Sequence, residues 1–393
     1  MDYGPGPVEG GDSRRAYLDH ASTSPIRPAA LEAMLMWAGA ADPGRVHTEG
    51  RMARVALEDA RERVAALFGT RSRQVIFTSG ATEAINAATF GALASGRGHR
   101  AVLAAVEHSA VREASELHAT GVEMVGVDRS GVIDLDAIET AMQRPEVALV
   151  HCQWANHEVG TLQPVVDVVA AARRQGVLVH VDAAAAAGHV PIAFDEIGAD
   201  LMSLSAHKLG GPRGMGALLV RRGLRIPPLL VGGSQERARR AGLEDVAAAV
   251  GFGEAAAELL GCLGDEATVS RSLLSDLRVA ALQIPKVEAY GPADPDRRLP
   301  HLLCVGVHGI EAEPVLIGLD QAGVAAHSGS SCSSEALEPS PVLEAMGVDA
   351  EHSLRFSVGW STTGADVQRA IRALPGVIGR LRELMAGAGP GAG

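Results

Sequence analysis

Lysine is almost missing from this 393-residue chain: thirty-three arginines stand against two lysines, Lys208 and Lys286. Guanidinium cannot form a Schiff base, so imine chemistry on a side-chain amine has only those two addresses. Lys286 follows Pro285 ahead of an expected strand and reads as a surface residue, whereas Lys208 lies in Ser205-Ala206-His207-Lys208-Leu209-Gly210-Gly211, among side chains able to bind an anion. Cysteine is sparse too. Cys152, Cys262, Cys304 and Cys332 are scattered without a CxxC pair, which speaks against a disulfide framework or a zinc site and for reduced thiols in a cytoplasm. Positive charge is in deficit, with a formal net charge of −12, so gripping nucleic acid or an anionic membrane directly is not the expected work. No uncharged apolar run approaches the ~20 residues of a membrane span. Met1–Arg15 has no apolar stretch of the signal-peptide kind. A Walker loop, an internal repeat and a heptad array are all missing.

What is there is the composition of a globular protein: 47% hydrophobic and 21% charged residues, in a chain two to three times the usual size of a domain. Residues 1–16 and 386–393 are rich in Gly, Pro and Ala and are expected to be disordered. From 17 to 260 helical patterns alternate with short apolar runs. Expected strands are Gln74–Thr78, Ala101–Ala104, Val122–Val127, Val147–Cys152, Val177–Asp182, Leu201–Ser205 and Ala217–Val220. Continuous apolar strands of this kind are covered on both faces by helices, which predicts a mostly parallel α/β sheet. Leu57, Ala60, Val64 and Leu67 share one helical face in Ala56–Phe68. Residues 261–385 read as a smaller α+β unit, with helices near 253–282, 311–322, 340–347 and 364–385 and strands near 287–290, 301–307, 324–327 and 353–358. The stretch before residue 30 is too short to fold alone and is expected to join this unit.

Three sites carry chemistry. Thr78-Ser79-Gly80-Ala81-Thr82-Glu83 follows a strand and opens a helix, where free N–H groups and hydroxyls can cradle a phosphate; an ordinary helix N-cap is the alternative for this stretch. Asp182 ends an apolar strand, at the edge where doubly wound sheets hold ligands. A protonated pyridine nitrogen would give it the cationic partner a buried carboxylate needs. Lys208 can form an imine, while Ser205 and His207 can donate to a phosphate. Together the three specify pyridoxal 5'-phosphate far better than any one does. Cys332 sits between Ser-Gly-Ser-Ser and Ser-Ser-Glu, a small polar stretch unlike the apolar surroundings of Cys152, Cys262 and Cys304; such a setting suits a nucleophile rather than a packed thiol.

These residues resemble the cysteine desulfurases of the class V aminotransferase superfamily, fold-type I pyridoxal phosphate enzymes with a seven-stranded-type central sheet. The resemblance runs from Tyr17 to Arg355 and rests on FTSGATEA (77–84), VEHSAV (106–111), ANHEVG (155–160), VHVDA (179–183), SLSAHKLGGPRG (203–214), GGSQERARRAG (232–242), SGSSCSSEALEPS (328–340) and SLRFSVG (353–359). It implies that Lys208 carries the cofactor covalently, that Asp182 pairs with the ring nitrogen, that His108 stacks on the ring, and that Ala81, Thr82, Ser205 and His207 hold the phosphate. Arg355 is implied as a bidentate clamp on the substrate carboxylate. L-Cysteine is the implied substrate; Cys332 would take its sulfur as a persulfide and pass it to an acceptor protein, with alanine released. His108 is the implied acid/base, and a cytoplasmic homodimer is the implied assembly, with no direct contact to nucleic acid or membrane.

Three positions depart from the family pattern: His157 stands for the usual second Asn, Ala185 for the usual Gln and Leu243 for the usual Thr. The first two normally donate to the cofactor's phenolic oxygen or to the substrate carboxylate, and losing a donor there costs about 1.5–3 kcal/mol unless replaced. The larger His157 is expected to fill the space left by Ala185 and keep one donor, binding cofactor and substrate. For Leu243, Arg239 or Arg240 is the expected substitute. The departures leave two other readings open. One is a C–S or C–Se lyase acting on selenocysteine or a cysteine sulfoxide, for which Cys332 is dispensable. The other is a degenerate scaffold for sulfur-transfer partners.

Overall fold

The computed structural model describes residues 15–95, 98–328 and 339–387. The expectations for residues 1–14, for 388–393 and for Cys332 lie outside the described residues. Seven strands form one sheet in the order Val75–Thr78, Gly216–Val220, Leu201–Ser205, Leu178–Asp182, Val147–Gln153, Arg100–Ala104, Gly121–Val125. Neighbours run parallel except Gly216–Val220, which is antiparallel to both of its partners. The strands fall where the apolar runs predict them, with end residues shifted by one or two positions, because a strand buried on both faces announces itself by composition.

This order brings Thr78, Asp182 and Ser205 to one carboxyl edge. Gly216 pairs with both Thr78 and Ser205, and Asp182 lies between Gln153 and Ser203. A Cβ on Gly216 would come within 2.7 Å of the Gly80 backbone, so the close approach of two strand ends there requires glycine. On one face Ala84, Ala88 and Ala92 of the helix Ala81–Leu93 lie on Ile76, Leu149, Leu178 and Leu201. On the other, Val150, Val179, Val181 and Met202 join the main core with Phe68 and Phe252.

A second sheet, antiparallel throughout, runs His327–Ser328, Ser353–Ser357, Leu302–Val307, Val287–Tyr290, and Ala16–Tyr17 pairs separately with Val324–Ala325. Leu18, Leu277, Val305, Leu319 and Phe356 form the core beneath. The helix Val246–Leu282 runs through residue 260 without a break, so the position expected to divide the two units falls inside a helix. Its first half packs on the helices Pro28–Trp37 and Thr48–Leu67; Leu274, Leu277 and Ala281 enter the second core. By length and composition it could span a membrane, yet half of its apolar stretch is buried in these contacts. Thr48–Leu67 begins eight residues before the expected start at Ala56. His47 caps it by accepting the Gly50 N–H, and exposed Met52 and Val55 hide its first turns from the apolar pattern.

Candidate active site

The helix Ala81–Leu93 starts directly at the carboxyl edge of the sheet. Gly80 sits at φ 156°, ψ −179°, open to glycine alone, and a Cβ there would meet nothing within 4 Å. The first intrahelical donor is Ala84, bonded to the Gly80 carbonyl, which leaves the N–H groups of Ala81, Thr82 and Glu83 facing outward at the positive end of the helix dipole. Glu83 accepts the Ser79 N–H (2.7 Å) and holds Arg240 (2.8 Å), and these bonds keep its carboxyl low. Arg240 is thereby tied to the cradle through Glu83. Arg239 is spent on the carbonyls of Glu236 and Val75, and Leu243 is 64% exposed.

Ser205 is buried at the end of its strand, and the next residues make one turn of 3-10 helix, Ala206–Lys208. That turn aims His207 at Thr23 (Nδ1 to Oγ1, 3.1 Å) and Lys208 Nζ at the Ala21 carbonyl (3.0 Å). Burial pushes His207 down to about 4, so at neutral pH it is an uncharged ring. Lys208 lines a narrow cleft with His20, Ala21, His157, Ala185, His189, His301 and Leu302. His157 and the small Ala185 therefore share a wall, as the pairing of their departures predicts. Four imidazoles surround the amine, and burial keeps three of them neutral: His20 falls to about 4, His189 to about 3, and His301 well below its usual value. His189 also hydrogen-bonds the Lys208 backbone and stacks on His301.

Asp182, 8% exposed, accepts the Ser203 hydroxyl (2.8 Å) and the Ala184 N–H (3.1 Å) on one oxygen. His108 caps the helix Ser109–His118, its Nδ1 accepting the Ala110 N–H at 3.1 Å. In the neutral ring this assigns the proton to Nε2. Its ring meets His157 edge-on at 5.0 Å.

Arg355 lies in the strand Ser353–Ser357 of the second sheet and is fully buried. It donates to the His157 carbonyl (3.0 Å), to Ser22 Oγ (2.7 Å) and to Asp19 (3.2 Å), while its Nε has no partner among the described residues. The guanidinium stands behind His157 rather than in the cleft wall. Sequence reasoning missed the residues that join these parts. Glu107, fully buried, lies next to His108 in the chain, and that adjacency was the signal available. Glu158 accepts Ser340 Oγ (2.5 Å) and lies 3.5 Å from His157 Nε2; burial raises its carboxyl to about 7 against the pull of Ser340 and Arg355. His20, His189 and His301 come from three distant segments and had no local mark.

The residues present fit pyridoxal phosphate: outward N–H groups with open space at Gly80, a buried carboxylate with its donors on one oxygen, and an amine lining a narrow cleft. The sequence profile described as aminotransferase class-V matches residues 16–370. A protein from Archaeoglobus fulgidus named cysteine desulfurase IscS 1 is 39% identical over 378 residues, 94% of this chain and 98% of that one. One from Mycobacterium tuberculosis named IscS-like cysteine desulfurase is 39% identical over 93% of this chain and 97% of its own length. Among solved structures, a NifS-like protein from Rickettsia africae superposes with a TM-score of 0.85 at 28% identity, covering 93% of this chain and 99% of that one.

Proposed function

The chain belongs to the aminotransferase class-V family and is a pyridoxal-phosphate-dependent cysteine desulfurase acting on L-cysteine; from that premise we propose how its own residues divide the work. The observation that carries the division is the meeting of Lys208, His157 and Ala185 in one cleft at the sheet edge that holds Asp182 and the 81–83 cradle.

Ala81, Thr82, Ser205 and His207 hold the phosphate, the helix dipole adding to their donors. Asp182 would pair with the ring nitrogen of the cofactor, Ser203 and Ala184 holding its carboxyl in place. Pyridoxal phosphate supplies an electron sink for charge developed at the substrate Cα. Lys208 would hold the cofactor, and its amine, lining the cleft beside His157, is the group placed to take a proton from the substrate Cα. His108, with its proton on Nε2, gives and receives protons opposite His157. Arg355 is assigned to the substrate carboxylate by the resemblance alone; its bonds to the His157 carbonyl, Ser22 and Asp19 hold the guanidinium behind the cleft wall, so a bidentate clamp requires it to exchange the bonds to Ser22 and Asp19.

Cys332 attacks the substrate sulfur as the thiolate: an S–S bond forms, the substrate C–S bond breaks, and the carbon skeleton leaves as alanine. The last described residues before Cys332, His327 and Ser328, pair with Arg355 and Leu354 of the second sheet. The unit of the seven-stranded sheet binds the cofactor and the unit of the second sheet carries the cysteine, the helix Val246–Leu282 being shared between them. A cytoplasmic homodimer fits the exposed Met36, Val46, Met52 and Val55, apolar side chains that a second copy would cover. Sulfur goes on to an acceptor protein, and neither nucleic acid nor membrane is bound directly, in keeping with the acidic charge.

Incubating the protein with L-cysteine tests this. Alanine release and a persulfide on the Cys332 peptide are expected, both the persulfide and sulfur transfer being lost in Cys332→Ser. Alanine formation that is unchanged in Cys332→Ser overturns the role of Cys332 and points to a C–S or C–Se lyase.

A further inference from the structure

We propose that Glu107 is a positioning residue: a neutral carboxylic acid that docks the turn carrying His108 onto the strand end next to Asp182. The inference rests on the cofactor reading above for its consequence, not for its chemistry.

Glu107 lies between the strand Arg100–Ala104 and the helix Ser109–His118, 1% exposed. Its Oε1 accepts the Gln153 N–H at 2.7 Å, and its Oε2 is buried with no partner among the described residues. The same short stretch donates twice more to this turn, from Gln153 Nε2 (2.9 Å) and Asn156 Nδ2 (3.2 Å), both to the Val106 carbonyl. Three bonds thus pin the residues before His108 to the end of the strand Val147–Gln153. That strand end sets up the pair, because Gln153 is also the cross-strand partner of Asp182.

Two carboxyl groups flank Gln153, and they are unequally served. Asp182 has a hydroxyl and an amide as donors, whereas Glu107 has one amide and a bare oxygen. An ionised Oε2 there would carry the full cost of desolvation, and the neighbouring Asp182 opposes a charge on it further. The proton therefore stays on Glu107. Burial, with Asp182 adding to it, pushes Glu107 up to about 8, the Gln153 amide opposing. The other titratable neighbour on the packed strand is Cys152, whose thiol is driven well above its usual value by burial and by Glu107 itself and stays protonated throughout. His108 adjoins Glu107 in the chain, but its ring is turned to Ala110 and His157. In alkali Glu107 ionises and a negative charge appears beside Asp182.

Infrared difference spectra of the full-length protein across about pH 6 to 10 test the proposal. A carboxylic-acid carbonyl band is expected to fade with a midpoint near 8 and to be missing in Glu107→Gln, which keeps the Gln153 bond through its amide oxygen. That variant also separates Glu107 from Glu158, which titrates lower. Removing the neighbouring charge in Asp182→Asn, or balancing it by loading the parent with cofactor, is expected to lower the midpoint by about one pH unit or more. Superimposable spectra of the parent and Glu107→Gln overturn the proposal. So does a midpoint unmoved by cofactor loading. Failure of the desulfurase reading is distinguishable: it removes the Cys332 persulfide and leaves the infrared band in place.

Discussion

His157 decides how much the chain tolerates its loss of familiar donors. It shares the cleft wall with Ala185 and Lys208, sits edge-on to His108 and lends its carbonyl to Arg355. Truncation in His157→Ala empties that wall, and the missing donor is expected to weaken cofactor binding by about 1.5–3 kcal/mol, read from the cofactor dissociation constant and the absorption band. A variant with the parent's spectrum and turnover would show that His157 only fills space. At this scale the sequence was informative where function follows local chemistry. Lys208 stood out by lysine scarcity, Asp182 by ending an apolar strand, and the 78–83 stretch by its small and hydroxyl residues. Glu107, Glu158 and His301 were not legible, because what makes them part of the site is strand order, and no neighbour in the chain records it.

The long helix Val246–Leu282 shows the same division between elements. Its existence was readable from apolar periodicity, but its start was placed seven residues late, since Ala and Gly at 247–253 carry little signal. Those glycines have a packing role. A Cβ on Gly253 would lie 2.7 Å from the Cα of Ala60, and one on Gly251 2.5 Å from Met34 Cγ. Gly253→Ala faces rigid backbone, so despite better helix propensity it is expected to lose about 1–3 kcal/mol to overpacking, measured as a lower denaturant midpoint. Gly261→Ala, with nothing within 4 Å of its Cβ, is expected to gain up to about 1 kcal/mol instead.

For the whole molecule, titration sets an optimum pH for stability. His20, His151, His180, His189, His207 and His301 all have their pKa lowered in the fold by burial, to about 4 for His20 and His207 and about 3 for His151 and His189. The unfolded chain then binds more protons than the native one, so this contribution is complete above about 6.5 and is lost as pH falls through about 4 to 3. Glu107 and Glu158 act in the opposite sense. Their folded values near 8 and 7 are raised, so their contribution is complete below the unfolded carboxyl range and is lost as pH climbs to about 8. Six groups outweigh two on the acid side, and the two act alone above neutrality. The thermal midpoint is therefore expected to peak near pH 6.5, falling steeply in acid and gently in mild alkali. A midpoint flat down to about pH 4 would mean that these imidazoles gain water or partners that the fold does not show.

The first described residues of the chain are stitched to nearly its last strand: Ala21 N–H donates to Ser357 Oγ across 336 positions, and Ala16–Tyr17 pairs with Val324–Ala325. On a ribosome that strap is made first and finds its seat last, after a wait on the order of 20–70 s at ordinary elongation rates. The seven-stranded sheet, whose strands lie between residues 75 and 220, can close meanwhile, and the Ala21 carbonyl that greets the Lys208 amine arrives when synthesis is all but over. A nascent chain halted before Ser357 would hold its cradle, its lysine and the segment that shuts them in, but not the strand on which that segment seats.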